Sequence, residues 1–245
     1  MCNGCPGRYP EKGVKMSTTR PSCHEFTHCA NQEMHCLSPV FFYFDLVSPY
    51  AYLASNYIDP IAKKYGRQVQ WKPFRIGVAV VKVMGLKPAM DTPLKNDYIR
   101  TDVSRLAKVL GLPITSNLEM FDPIPAQRLI HGAGTEHRAG LCKALLKARW
   151  ADNLDLTNPT ILTHVAETVG VSPITVQEAL RKPETRLAVR QATDAAILDG
   201  VFGSPTCRVE EELFWGVDRL WLLEHYLAHG ENYSGIDGIH LTKLS

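Results

Sequence analysis

A strand-to-helix junction near residue 40 constrains the fold more than any other part of this chain. Residues 40–53 read VFFYFDLVSPYAYL. The run VFFYFD at 40–45 is dense in aromatic and β-branched residues and reads as a buried strand. Ser48 follows at an N-cap position, with Pro49 at the first helical position, where a missing N–H costs nothing. A helix is expected from about 49 to 65, with Tyr52, Leu53 and Tyr57 among its apolar positions and Gly66 ending it. Residues 68–73, QVQWKP, alternate and predict a second strand. Strand, helix and strand in this order make a parallel β-α-β opening.

The middle of the chain is helical. Residues 74–95 are apolar but punctuated by Gly77, Gly85, Pro88 and Pro93, which predicts a mixed loop with a short helix. Helices are then expected over 96–110, 123–131 and 135–150. Another is capped by Thr157 or Asn158 before Pro159, one starts near Ser172-Pro173, and the last covers 184–198. After Gly200 and the turn VFGSPT, residues 206–210 and 212–215 predict two short antiparallel strands. A terminal helix over 217–229 packs Leu220, Leu223, Tyr226 and Leu227 on the sheet. The expected class is α/β, with 96–198 as an all-helical insertion between 40–95 and 199–230. The tail 231–245 carries no strong pattern.

Composition removes several functions. The net charge of +2 and the lack of basic clusters interleaved with aromatics argue against nucleic acid. No run reaches the roughly 18 apolar residues of a membrane span, and the N-terminus lacks a secretory pattern. The cytoplasm is the expected location, with an organellar address left open. Cys2, Cys5, Cys23, Cys29 and Cys36 crowd the head with His24, His28 and His35, but their spacing is poor for zinc. Residues 1–39 are therefore expected to be a flexible extension, and Met16 and Met34 are alternative starts. Cys142 and Cys207 have no dithiol spacing and read as core thiols. No His/Asp pattern calls for a metal.

Four stretches then resemble one family over roughly residues 40–230. They are Phe42-Tyr43-Phe44-Asp45 with Ser48-Pro49-Tyr50-Ala51-Tyr52-Leu53; Tyr98 to Arg105; Gly203-Ser204-Pro205-Thr206; and Phe214-Trp215-Gly216-Val217-Asp218-Arg219-Leu220. Together they are similar to the 2-hydroxychromene-2-carboxylate isomerases, a glutathione-dependent branch of the DsbA-like thioredoxin superfamily close to kappa-class glutathione transferases. The resemblance implies a thioredoxin-like fold with the helical insertion, glutathione as cofactor, a small aromatic or electrophilic substrate of aromatic catabolism, and a homodimer. An oxidoreductase of this fold would carry Cys-x-x-Cys where this chain has Ser48-Pro49-Tyr50-Ala51. The thiol must then come from elsewhere.

By the same resemblance, Ser48 is the catalytic residue, donating a hydrogen bond to the glutathione sulfur where a helix start favours a thiolate; its plainer role is an N-cap. Pro205 corresponds to a cis-proline that would turn the backbone of Ser204 toward the peptide of glutathione. The family has an apolar residue in place of Ser204. Val217 and Asp218 would hold the γ-glutamyl end, unless Asp218 is only a cap. Lys82 is a candidate for glutathione or for a substrate carboxylate, in a loop where Leu86 replaces a usual Asn. Asp102 and Arg105 either wall the ligand site or form a domain-locking salt bridge. Phe74, Tyr98, Phe202 and Trp215 are candidate aromatic walls for substrate.

The implied reaction is reversible addition of the thiolate to a conjugated carbon, ring opening, bond rotation, and elimination to a trans-benzylidenepyruvate. A kappa-type transferase would share the site but consume glutathione. A DsbA-like oxidoreductase is disfavoured by the missing cysteines, and a non-catalytic thioredoxin-fold binding protein is the alternative from another class.

Overall fold

The apolar strand at residue 40 becomes the second strand of a four-stranded sheet ordered β2-β1-β3-β4. The computed structural model describes residues 37–234; the cysteine-rich head reading and most of the tail lie outside the described residues. β1 (Val40–Phe44) pairs in parallel with β2 (Val69–Pro73), with Phe42 opposite Trp71. β3 (Thr206–Val209) runs antiparallel to β1, and β4 (Glu212–Trp215) antiparallel to β3. Phe42 and Phe44 stack at 5.6 Å, and both meet Trp71 edge-on at 5.0 and 5.6 Å. On the other face Tyr43 packs with Phe74, Ala196 and Val201. A central strand covered on both faces needs apolar residues at nearly every position, and VFFYF supplies them.

The helix expected over 49–65 is two helices, α1 (Pro49–Ser55) and α2 (Ile58–Lys64). Pro60 has no N–H to give the carbonyl of Asn56, so an unbroken helix is barred. The Asn56 side chain instead donates to the Tyr52 carbonyl at 2.7 Å. The 74–95 segment holds a π-helical turn, Val78–Val83, and a 3-10 turn, Ala89–Asp91. Six helices then intervene before β3: α3 (Lys95–Val109), α4 (Ile124–Gly132), α5 (Arg138–Trp150), α6 (Pro159–Glu167), α7 (Pro173–Arg181) and α8 (Pro183–Leu198). Asn158 and Ser172 cap α6 and α7 with side-chain bonds to the amides of Thr160 and Thr175. A 3-10 turn, Val217–Arg219, replaces the first turn of the terminal helix, leaving α9 as Leu220–His229.

The described residues form one compact unit. Val40 and Phe42 of the sheet share a hydrophobic cluster with Leu129 of α4, Leu145 of α5 and Leu162 of α6. The helices are therefore inserted in sequence but continuous with the sheet in their packing. Two polar bonds aim this helical layer at the loop after β1. The Trp150 indole donates to the Leu46 carbonyl at 2.8 Å. Gln127 of α4 donates to the Asp45 carboxylate at 3.1 Å and to the Phe74 carbonyl at 3.0 Å. Among the described residues, no helix is long and apolar enough to cross a membrane.

Candidate active site

The carboxyl end of β1 turns through Asp45, Leu46 and Val47 to reach Ser48. Ser48 is 8% exposed, and its hydroxyl is committed twice. It accepts from the Ala51 amide at 3.2 Å, which caps α1, and donates to the Ser204 carbonyl at 2.9 Å. The Ser204–Pro205 peptide is cis. Pro49 has no N–H and the Ala51 amide is taken, so the Tyr50 amide is the free donor of the first turn. With α1 only seven residues long, these local groups outweigh any long-helix dipole.

Ser204 also uses its side chain, whose Oγ accepts from the Asp45 amide at 2.8 Å. A valine could not do this. The hydroxyl ties the two loops on either side of Ser48 into one frame.

Asp45 is 2% exposed and accepts from the amides of Ile76 at 2.8 Å and Val47 at 3.3 Å, besides Gln127. Burial pushes its carboxyl up to about 6, against the pull of those amides and of Arg75. An acid whose pKa is raised on folding stabilises the fold below its unfolded pKa, and that stabilisation is lost as pH rises through the folded value. Relative to Asp45→Asn, the wild-type unfolding free energy is expected to fall between about pH 4 and pH 6. The change should be on the order of 2–3 kcal/mol, with a plateau above. Chemical denaturation of both proteins at stepped pH checks this; a wild-type unfolding free energy that rises relative to that of Asp45→Asn over this range contradicts it.

Ser48 opens onto a cleft of about 760 Å³. Its walls include Ser204, Pro205, Trp215, Val217 and Asp218 on one flank, and Arg75, Ile76 and Met90 on another. Tyr98 and Asp102 of α3 face the same space. Phe202 and Trp215 meet edge-on at 5.0 Å. A Cβ on Gly203 would come within 2.0 Å of the Trp215 Nε1, so glycine lets the indole lie against the loop before the cis peptide. Gly216 has φ 103°, and a Cβ there would meet the Asp218 carboxylate at 2.4 Å. Asp218 pairs through Oδ2 with Arg219 at 2.7 Å.

Ser48, Ser204, Pro205, Val217, Asp218, Tyr98, Asp102, Phe202 and Trp215 thus share one cleft. Three other candidates do not join them. Phe74 is fully buried in the cluster under α8, because the chain past β2 turns it toward that face. Lys82 is exposed and off the cleft wall, on the π-helical turn. Arg105 is also exposed and off the wall, and it makes no salt bridge with Asp102. Asp102 instead accepts from the Tyr50 hydroxyl at 2.9 Å and from Tyr98 at 3.3 Å, since α3 turns it toward α1. Burial, then the Asp102 bond, holds the Tyr50 phenol well above its usual range.

Asp45, Tyr50 and Arg75 are cleft residues that the motif reading left without roles. A signal was present for two of them: Asp45 ends an otherwise apolar strand, and Arg75 interrupts the apolar run PFRIGVAVV. Cys142 and Cys207 are buried free thiols, pushed up by burial and unreactive at neutral pH.

Residues 39–228 match the family model for the DSBA-like thioredoxin domain. The chain belongs to this family. Among its relatives, the DSBA-like chain is 28% identical over 187 residues to a 2-hydroxychromene-2-carboxylate isomerase of Sphingobium xenophagum, covering 76% of this chain and 96% of that one. It is 28% identical over 209 residues to the Homo sapiens glutathione S-transferase kappa 1, covering 79% and 91%. A solved 2-hydroxychromene-2-carboxylate isomerase superposes on the DSBA-like chain with a TM-score of 0.69 at 26% identity, over 77% of this chain and 94% of that one. These relatives are enzymes, isomerases and glutathione transferases.

Proposed function

We infer that this protein is a glutathione-dependent isomerase acting on substrates of the 2-hydroxychromene-2-carboxylate type. One observation carries the reading: a serine hydroxyl stands at the start of α1 against the Ser204 carbonyl, in an aromatic-lined cleft that has no cysteine among the described residues of its wall. The isomerase relatives support the reaction type.

The cleft wall suits a thiol tripeptide in its donor set. The Ser204 carbonyl can accept a peptide N–H, as an added strand would require. Asp218 has one carboxylate oxygen outside its Arg219 pair, available to an ammonium group. Bound there, glutathione supplies a nucleophilic thiol that can add to a conjugated carbon and leave again. The Ser48 hydroxyl has one hydrogen, which it now gives to Ser204. A sulfur anion beside Ser48 is a stronger acceptor than the neutral Ser204 carbonyl and draws that hydrogen to itself. The bond to the Ala51 amide keeps the oxygen in place meanwhile. Phe202, Trp215 and Tyr98 give the cleft an aromatic wall for the substrate.

The expected result is that omitting glutathione abolishes isomerisation, and that free thiol is undiminished after many turnovers. Unchanged turnover without glutathione sinks the reading. Thiol loss in step with turnover replaces it with the transferase reading, which the human kappa relative supports.

A further inference from the structure

We propose that Arg75 is the anchor for a carboxylate on the electrophilic substrate, at the β2 end of the cleft; this rests on the glutathione-dependent isomerase reading above. Arg75 lies on the cleft wall just past the carboxyl end of β2. Its Nε is buried without a hydrogen-bond partner, and Arg75 enters no ion pair among the described residues. A guanidinium left unpaired against an apolar wall is costly unless an anion reaches it. Arg219, the other arginine on the wall, already has Asp218. The nearby Asp45 carboxylate makes no hydrogen bond or ion pair with Arg75; it accepts from the amides of Val47 and Ile76 and from Gln127.

The topology says which ligand brings the anion. Ser204, Trp215 and Asp218 lie beside β3 and β4, while Arg75 follows β2 on the opposite side of β1. The flank suited to the tripeptide is therefore not the flank of Arg75. Of the two arginines on the cleft wall, only Arg75 lacks a carboxylate partner among the described residues. Met90, Ile99 and Phe121 also line the cleft and offer apolar surfaces for an aromatic ring. The substrate class is thus an aryl or arylvinyl carboxylate, read by a planar two-point donor that Lys82, outside the cleft, does not provide.

The test is direct binding without turnover. Cinnamate and its uncharged analogue cinnamamide are titrated into the full chain by calorimetry, with wild type, Arg75→Met and Arg75→Lys, and glutathione is titrated separately. Cinnamate affinity is expected to fall at least tenfold in Arg75→Met and partly recover in Arg75→Lys. Cinnamamide and glutathione should bind all three proteins equally. Equal thermal unfolding of the variants checks that each is folded. Wild-type affinity for cinnamate in Arg75→Met, or no cinnamate binding by wild type, overturns the proposal. So does loss of glutathione binding with cinnamate binding kept, since it gives Arg75 to the tripeptide. Cinnamate binding that depends on Arg75 supports the anchor even if turnover proves independent of glutathione, so the two readings fail separately.

Discussion

Ser48→Ala is expected to lower kcat/KM for glutathione-dependent turnover by on the order of 10²-fold, the usual cost of losing one positioned donor to a developing anion. The substitution removes one hydrogen with two alternative uses, the sulfur when glutathione is bound and the Ser204 carbonyl when it is not, and with it the cap on the Ala51 amide. Only the Ser204 bond and the cap act on stability, and a lost N-cap costs about 1 kcal/mol. The fold should survive with a small fall in Tm. Ser48→Thr keeps a hydroxyl and a capping oxygen and should regain much of the rate. The diagnostic measurement is the pH dependence of thiolate absorbance for bound glutathione, whose midpoint should rise in Ser48→Ala and return in Ser48→Thr. An unshifted midpoint would leave Ser48 as a cap alone.

Trp150→Ala is expected to destabilise the fold by about 3–5 kcal/mol, the range for truncating a fully buried aromatic side chain. Trp150 is 1% exposed, and its indole N–H is given to Leu46, two residues before Ser48. For a chain of this size each kcal/mol shifts Tm by about 2–4 °C, so the loss should be about 6–20 °C. Trp150→Phe keeps most of the ring area but strands the Leu46 carbonyl, at about 1–3 kcal/mol. The informative comparison is activity in Trp150→Phe at a temperature where it is fully folded. A fall in kcat there means that the helical layer positions the Ser48 loop; full activity means that Trp150 only fills the core.

The elements were largely legible because their signals are local. Ser48-Pro49, Asn158-Pro159 and Ser172-Pro173 each announce a helix start, and the structure has a helix at each. The break at Asn56 was legible too, in Pro60, but an apolar period running to residue 65 masks it. Side-chain direction was less so. Asp102 and Arg105 stand three apart on α3, which permits a pair, yet α1 lies close enough for Tyr50 to take the carboxylate. Phe74 and Tyr98 are alike as aromatic candidates. One is sealed under α8 and the other lines the cleft, a difference that lies in the layer above each.

Taken alone, the sequence determined the β-α-β opening, the helical insertion, the proline turn and the serine in the place of a cysteine. Each is written in neighbouring residues, through caps, periodicity and the absence of a side chain. Only the tertiary structure decided that the Ser48 hydroxyl is held by Ser204, that Ser204 also secures Asp45, and that Arg75 rather than Lys82 stands in the cleft. Those contacts join residues far apart in the chain. Hydrogen bonds and unpaired charge depend on distances that strand order and helix packing set, and a local pattern carries no record of them.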